Sequence, residues 1–290
     1  MDHSSSEGWF RSDGLNLRFV EWGPREAPAI VMLHGLRSYA YTWEPVALPL
    51  AGCWRIVALD QRGRGRSDWD QRADYYTEAY VRDIEALVDH LSLPQLVLVG
   101  HSMGGANALV YASRHPWRVA ALVVEDAGPG ASASSGGAER IKRELRETPS
   151  SFANWDEATA FWRKVRPNIS AEALQSRIAH SVKQGDGGRV TWSHDADGIA
   201  QARLSAAHDK VVDLWPHVDA LKMPTLLIRG AASDYLSAPT ADEMCRRNGR
   251  IRRTDVPAAT HYVHDDNLAG FNAVLQEFLA NARGLLTPGS

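Results

Sequence analysis

The sequence predicts an α/β fold, a mostly parallel, doubly wound sheet of about eight strands flanked by helices and interrupted by one large helical insertion. Three observations carry this expectation. Short apolar runs rich in β-branched residues alternate with longer amphipathic stretches over the first 125 residues, the pattern of strand, crossover helix and parallel strand. That pattern lapses between about residues 128 and 217. It then resumes with two further strand-like runs and a closing amphipathic helix.

Taken in order, strands are expected at 15–22, 29–33, 55–59, 95–99 and 119–124, the later ones apolar enough to be buried on both faces. Between the third and fourth, Val81, Ile84, Leu87, Val88 and Leu91 fall on one stripe of a helix over 77–91. A second helical stretch covers 106–114. A Gly/Ala/Ser-rich loop at 128–137 then leads into helical segments studded with Arg and Trp. Strands at 224–229 and 250–256 and a helix at 268–279 complete the chain. The expected division is a core of residues 1–127 and 218–290 with a helical lid of residues 128–217. A segment of roughly 90 residues is too long for a structureless loop.

Composition narrows the partners. The chain of 290 residues carries 32 basic and 35 acidic side chains, a net charge of −3, without clustered basic and aromatic residues, so nucleic acid is not an expected partner. Cys53 and Cys245 lie far apart with no CxxC or Cys/His neighbours, which predicts two buried or partly buried thiols, with no disulfide and no zinc site. The opening MDHSSSEGWF lacks the basic start and apolar run of a signal peptide, and no apolar stretch approaches the ~20 residues of a membrane span. A cytoplasmic protein with no membrane partner, monomer or homodimer, is expected.

The chemistry is concentrated in VGHSMGG at 99–105, where Gly100, Ser102 and Gly104 make the pattern G-x-S-x-G. The bare pattern is too short to be specific. Its setting is more telling, because it follows the strand QLVLV and opens a helix, the strand, sharp turn and helix of a nucleophile elbow. A serine hydroxyl is a weak nucleophile and needs a histidine base oriented by a carboxylate, in chain order serine, acid, histidine. RGAASDYLS offers Asp234 in the loop after the 224–229 strand, and VPAATHYVHDDN offers His261 after the 250–256 strand. Both loops open at the sheet edge that carries active sites in open α/β folds. The strand at 29–33 runs into HGLRS, where a tight turn would aim the Leu36 amide at the same point as the amide of Met103, making an oxyanion hole.

These segments, with LDQRGRGRSD at 59–68 and THYVH at 260–264, resemble the α/β-hydrolase superfamily in its lidded form. The motifs span nearly the whole core in the family's order. The resemblance implies fold and catalytic apparatus and leaves the substrate open. It also implies that the DxRGxGxS segment, Asp60 to Ser67, shapes a loop near the active site; its arginines are read as structural. Some members place the acid one strand earlier, and Asp126 in VVEDAGPG is therefore the alternative to Asp234. One such group, hydrolases of acylaminomethylene succinates, resembles this chain in PNISAEALQSR and DGG of the lid.

Other polar residues receive local roles. His264 is expected to pack or hydrogen-bond near the last helix, and His34 and His101 to hydrogen-bond beside the oxyanion turn and the elbow. His180, His194, His208 and His217 lack metal-ligand spacing. Arg37 could grip a substrate carboxylate or could be tied up in an ion pair. The lid arginines Arg140, Arg143, Arg146, Arg163, Arg166 and Arg177 read mostly as a solvated face, with one or two able to reach the pocket. Among the aromatics, Tyr39, Trp43 and Trp162 are, with Arg37, the candidates for substrate contact.

The function expected is hydrolysis of a small-molecule carboxylic ester or lactone by Ser102, His261 and Asp234, without cofactor or metal. Cleavage of a carbon–carbon or carbon–nitrogen bond in a ring-cleavage product is a second reading, favoured by any arginine inside the pocket. A slow or non-catalytic ligand receptor on the same fold is a third.

Overall fold

The computed structural model describes residues 4–167, 169–205 and 210–286, apart from the side chains of residues 133 and 134. His208 lies outside the described residues.

The chain begins with an antiparallel hairpin, β1 (Ser6–Ser12) and β2 (Leu15–Trp22), turned at Asp13 and Gly14, both at positive φ. β1 escapes sequence reading because SEGWFRS is a mostly exposed edge strand with few apolar residues. β3 (Ala29–Leu33), β4 (Arg55–Leu59), β5 (Leu96–His101) and β6 (Val119–Glu125) follow, and β10 (Thr225–Gly230) and β11 (Ile251–Val256) come after the insertion. They form one eight-stranded sheet in the order β1-β2-β4-β3-β5-β6-β10-β11, parallel from β4 onward. The fold is the expected one.

Alternation along the strands supplies two cores. In β3, Ala29, Val31 and Leu33 face one apolar cluster, while Ile30 and Met32 face the other. The first is covered by α2 (Thr77–His90), α3 (Met103–Arg114) and α10 (Ala238–Arg247), through residues such as Ile84, Leu87, Leu109 and Met244. The second is covered by α1 (Glu44–Ala47) and α12 (Leu268–Ala282), through Val46, Phe271, Leu275 and Leu279. α11 (Val263–Asp266) is a single turn before α12.

The insertion between β6 and β10 is only partly helical. It contains α4 (Ala131–Ser134), α5 (Gly136–Glu147), α6 (Trp155–Val165), α7 (Ala171–Ser181) and α8 (Ala196–Leu204). It also holds a small antiparallel sheet, β7 (Ser151–Phe152), β9 (Val190–Trp192) and β8 (Val182–Gln184), too short to show a period in the sequence. Ser135, Asn154, Ser170 and Asp195 cap α5, α6, α7 and α8 with their side chains, so each helix start is locally encoded. Phe152, Trp162, Leu174, Val190 and Trp192 give the insertion its own core. α9 (Trp215–Ala220) belongs elsewhere: Val218 joins the main core and His217 Nδ1 meets Ser113 Oγ of α3 at 2.7 Å. The boundary expected at residue 217 therefore falls inside a helix packed on the core.

Among the described residues no helix is long and apolar enough to cross a membrane. Both cysteines are free; Cys245 is partly buried, but Cys53, expected to be at least partly covered, is exposed.

Candidate active site

β5 delivers Ser102 at a sharp turn into α3. The serine sits at φ 53°, ψ −116°, a left-handed strain of about 1–3 kcal/mol. Its amide bonds the Glu125 carbonyl at 2.9 Å, and its own carbonyl receives the Ala106 amide at 2.9 Å, which holds the turn from both sides. The flanking glycines are sterically required. A Cβ on Gly100 would stand 2.4 Å from the Gly104 carbonyl oxygen, and one on Gly104 would stand 2.3 Å from that of Leu33.

His261 follows β11 and is 1% exposed. Its Nε2 lies 2.8 Å from Ser102 Oγ, and its Nδ1 lies 2.8 Å from Asp126 Oδ2. Asp126, at the end of β6, is fully buried. Its Oδ1 accepts from the Gly230 amide at 3.2 Å, and its Oδ2 from the Ser233 hydroxyl at 2.6 Å. Ser233 Oγ itself accepts from the amides of Tyr235 and Leu236, so its proton is directed at Asp126. Every contact of this carboxyl is thus with a donor, the environment of an ionised carboxylate. Burial pushes the Asp126 carboxyl up from its ordinary value, and the Ser233 and Gly230 hydrogen bonds oppose that rise. Burial pushes His261 well below its ordinary value, with Arg140 and Arg166 adding to the effect, which leaves a neutral imidazole with its proton on Nδ1 and a free lone pair toward Ser102.

Asp234 does not take the position expected of it. It is 42% exposed in its side chain, and its two carboxylate oxygens receive Arg140 of α5 at 2.8 and 2.9 Å. In the loop after β10 the side chain that turns inward is Ser233, so the alternative acid Asp126 meets the histidine and Asp234 turns out to the insertion.

Leu36 lines the same cavity as Ser102, and Met103 is the first residue of α3, where an amide has no intrahelical acceptor. Tyr235, which sequence reading missed, lays its ring 4.2 Å from that of His261, and its hydroxyl reaches Ser102. His34 and His101 serve locally as expected. His34 Nδ1–H donates to the Gly35 carbonyl at 2.7 Å, and His101 Nε2–H donates to that of His261 at 2.9 Å. His264 Nδ1 is gripped by both oxygens of buried Glu125 at 2.8 Å.

The cavity over Ser102 is narrow, about 30 Å³, and is roofed by Ile141, Trp162, Arg166 and Arg177 of the insertion. Of the four residues expected at the substrate, Trp162 and Arg37 line it. Arg37, however, is engaged by Glu144 and by Thr148 Oγ1 at 3.0 Å. Trp43 is a correction: it is fully buried in the core, stacked on His264 with ring centres 4.6 Å apart. Tyr39 is another, its hydroxyl donating to Ser176 and its side chain facing a separate groove beside Tyr41 and Trp69. The two arginines that do reach the cavity free of one-to-one pairing are Arg166 and Arg177, which share the single carboxylate of Asp265 at 3.4 and 2.6 Å. Arg177 Nε is buried with no partner among the described residues. They are the one or two lid arginines expected to reach the pocket, Arg166 from the end of α6 and Arg177 from α7.

Comparison with known proteins agrees with this architecture. A family described as the alpha/beta hydrolase fold matches residues 28–268. The chain is 31% identical over 264 residues to the sn-1-specific diacylglycerol lipase ABHD11 of Mus musculus, covering 89% of this chain and 83% of that protein. It is 27% identical over 238 residues to the 2-(acetamidomethylene)succinate hydrolase of Mesorhizobium japonicum, covering 82% and 83%. Among solved structures, an α/β hydrolase from Novosphingobium aromaticivorans superposes with a TM-score of 0.81 at 29% identity, covering 99% of this chain and all of that one. The crystal structure of an E-2-(acetamidomethylene)succinate hydrolase gives a TM-score of 0.85 at 24% identity, covering 96% and 100%, a likeness of fold.

Proposed function

Because the chain belongs to the α/β-hydrolase family, we propose that it is a serine hydrolase cleaving a carboxylic ester or lactone through an acyl-enzyme on Ser102. The observation that carries this reading is the continuous relay from Ser102 Oγ through His261 to Asp126, each link 2.8 Å. His261 Nε2 takes the serine proton as Oγ attacks the carbonyl carbon. The imidazolium that results is stabilised by Asp126, which holds it in the productive orientation. The amides of Leu36 and Met103 receive the oxyanion, a contribution of about 3 kcal/mol per donor in hydrolases of this kind. The imidazolium then protonates the departing alkoxide. In the second half-reaction His261 takes a proton from the water that attacks the acyl-enzyme and returns it to Ser102 Oγ as the acyl–serine bond breaks and the acid leaves.

Ser102→Ala should abolish both labelling by a fluorophosphonate and all but a trace of p-nitrophenyl acetate hydrolysis. Parent-level turnover in that variant would remove Ser102 from the mechanism. The relay argues against a non-catalytic receptor, and turnover above about 1 per second would exclude that role.

Arg166 and Arg177 favour a second reading of the substrate. Two guanidinium groups share the carboxylate of Asp265 in the wall of the Ser102 cavity, and Arg177 Nε, which has no partner among the described residues, is a donor awaiting an acceptor. A substrate bearing a carboxylate would complete that set. The relative that acts on 2-(acetamidomethylene)succinate fits such a substrate, and with it cleavage of a carbon–nitrogen or carbon–carbon bond. A panel pairing neutral esters with acid-bearing esters and enamides decides between them. A preference for the acid-bearing members that disappears in Arg177→Met supports the second reading, and indifference to the charge supports the first.

A further inference from the structure

The DQRGRGRS loop after β4 carries two fully buried arginines, two residues apart, held in opposite ways. Arg62 is surrounded by carboxylates: Asp83 on Nε at 2.6 Å, Asp70 on Nη1 at 3.2 Å and Asp13 on Nη2 at 3.0 Å. Its hydrogen bond to Asp83 and the nearby charges outweigh burial and raise its pKa. Arg64 has no such company. Its guanidinium donates to the Leu36 carbonyl at 3.1 Å, the Arg62 carbonyl at 2.8 Å, the Tyr80 hydroxyl at 2.5 Å and Met103 Sδ at 3.6 Å. The rings of Tyr75 and Tyr80 lie 5.1 and 5.4 Å from its central carbon. None of these partners in the described residues is a carboxylate, and burial pushes its pKa down.

The loop is wound tightly to hold Arg64 there. Gly63 and Gly65 on either side both have positive φ, and a Cβ on Gly65 would stand 2.2 Å from the Asp60 carboxyl carbon. A buried cation without a counter-ion is costly, so something must offset it. The identity of its partners says what. Arg64 grips Leu36 and Met103, the two residues whose amides are assigned to the oxyanion.

We propose that Arg64 is the positioning residue of the oxyanion hole: its guanidinium anchors Leu36 and Met103 and holds a positive potential at the carbonyl oxygen, whose charge during attack is the counter-ion that none of the described residues supplies at rest. Arg64 neither gains nor loses a proton. It acts through the two residues it holds, in a site dry enough for a fixed charge to act strongly. The inference rests on the reading of Ser102 as nucleophile.

The test is steady-state hydrolysis of p-nitrophenyl acetate together with inhibition by phenylboronic acid, which forms a tetrahedral anionic adduct on a serine nucleophile. Arg64→Met should lower kcat by about 30- to 100-fold with KM changed less than about three-fold. Its affinity for the boronic acid should weaken by the same factor as kcat/KM. Arg64→Lys keeps the charge but cannot span both anchors, and should fall between the two, with the boronic acid again in step. A parent-like kcat in either variant, a loss confined to KM, or an unchanged boronic acid affinity would overturn the proposal. Should Arg64→Met fail to fold, Arg64→Lys carries the same criteria. Turnover retained in Ser102→Ala brings down the nucleophile reading, whereas an inactive Ser102→Ala beside a fully active Arg64→Met brings down this inference alone.

Discussion

Asp126 and Asp234 stand at the carboxyl ends of neighbouring parallel strands, β6 and β10, and meet opposite fates. Asp126 is fully buried, with three donors on its two oxygens, one of them the imidazole of His261. Asp234 is 42% exposed and spans outward to Arg140 of the insertion. The difference lies in which residue each loop turns inward. After β6 it is the aspartate, held at a φ of 48°. After β10 it is Ser233, one position before the carboxylate, and that serine is a donor to Asp126. One loop therefore supplies the carboxylate that meets His261 and the next supplies its support, while Asp234 binds the insertion to the core.

The comparison is broken most directly by removing each charge in turn. Asp126→Asn should lower kcat/KM by about 10⁴-fold, because an amide at that position no longer fixes the imidazole tautomer. Asp234→Asn should stay within about three-fold of the parent, since an exposed ion pair contributes at most about 1 kcal/mol. Equal losses in the two variants, read with any ester that the parent hydrolyses, would undo the assignment of the acid.

Ser233→Ala sharpens it at a smaller scale. The variant leaves Asp126 buried and charged with one donor fewer, and leaves the Tyr235 and Leu236 amides without their acceptor. A loss of about 1–3 kcal/mol of stability is expected, with activity down by about ten-fold. Ser237→Ala is the control, because that serine caps α10 and touches neither carboxylate. Urea melts of the two variants that coincide, together with unchanged kinetics in Ser233→Ala, would show that Asp126 does not depend on the β10 loop.

The core was largely legible in the sequence, because its strands alternate or run apolar for five residues or more and its elbow needs glycine at fixed positions. Ser102, which the structure brings to 2.8 Å from His261, was legible through its elbow, whereas His261 follows IRRTDV, a weak strand pattern, and was picked by its chain order after the serine. The choice between Asp126 and Asp234 was not legible. It turns on a one-residue difference in which side chain faces inward, and local composition is silent on that. The insertion was the least legible part. Its strands of two or three residues carry no period, and Arg166 and Arg177 differ from Arg140 only in the wall they reach. Arg62 and Arg64 read alike in the sequence, because what separates them is that Arg64 meets no carboxylate among the described residues, which only packing reveals.

The finest test of the comparison uses the pH profile. His261 must be neutral to accept the serine proton, and burial holds its pKa below the ordinary 6.5. The acid limb of kcat/KM should therefore lie below pH 6.5, activity being lost as pH falls through the lowered value. Arg140 disfavours the imidazolium and Asp234 favours it more weakly, so the two partners of the exposed pair oppose each other at His261 while Asp126 stays in direct contact. Removing either partner leaves the other's effect unopposed. Arg140→Gln should move the limb toward neutral pH, and Asp234→Asn should move it to more acidic pH, with the double variant between the two single variants. Because both side chains are partly exposed, about 0.5 M salt should shrink these shifts. Shifts of the same sign in the two single variants, or a limb that Asp234→Asn moves by a full unit, would mean that Asp234 acts on the imidazole directly and that the separation between the two strand ends is less complete than their burial indicates.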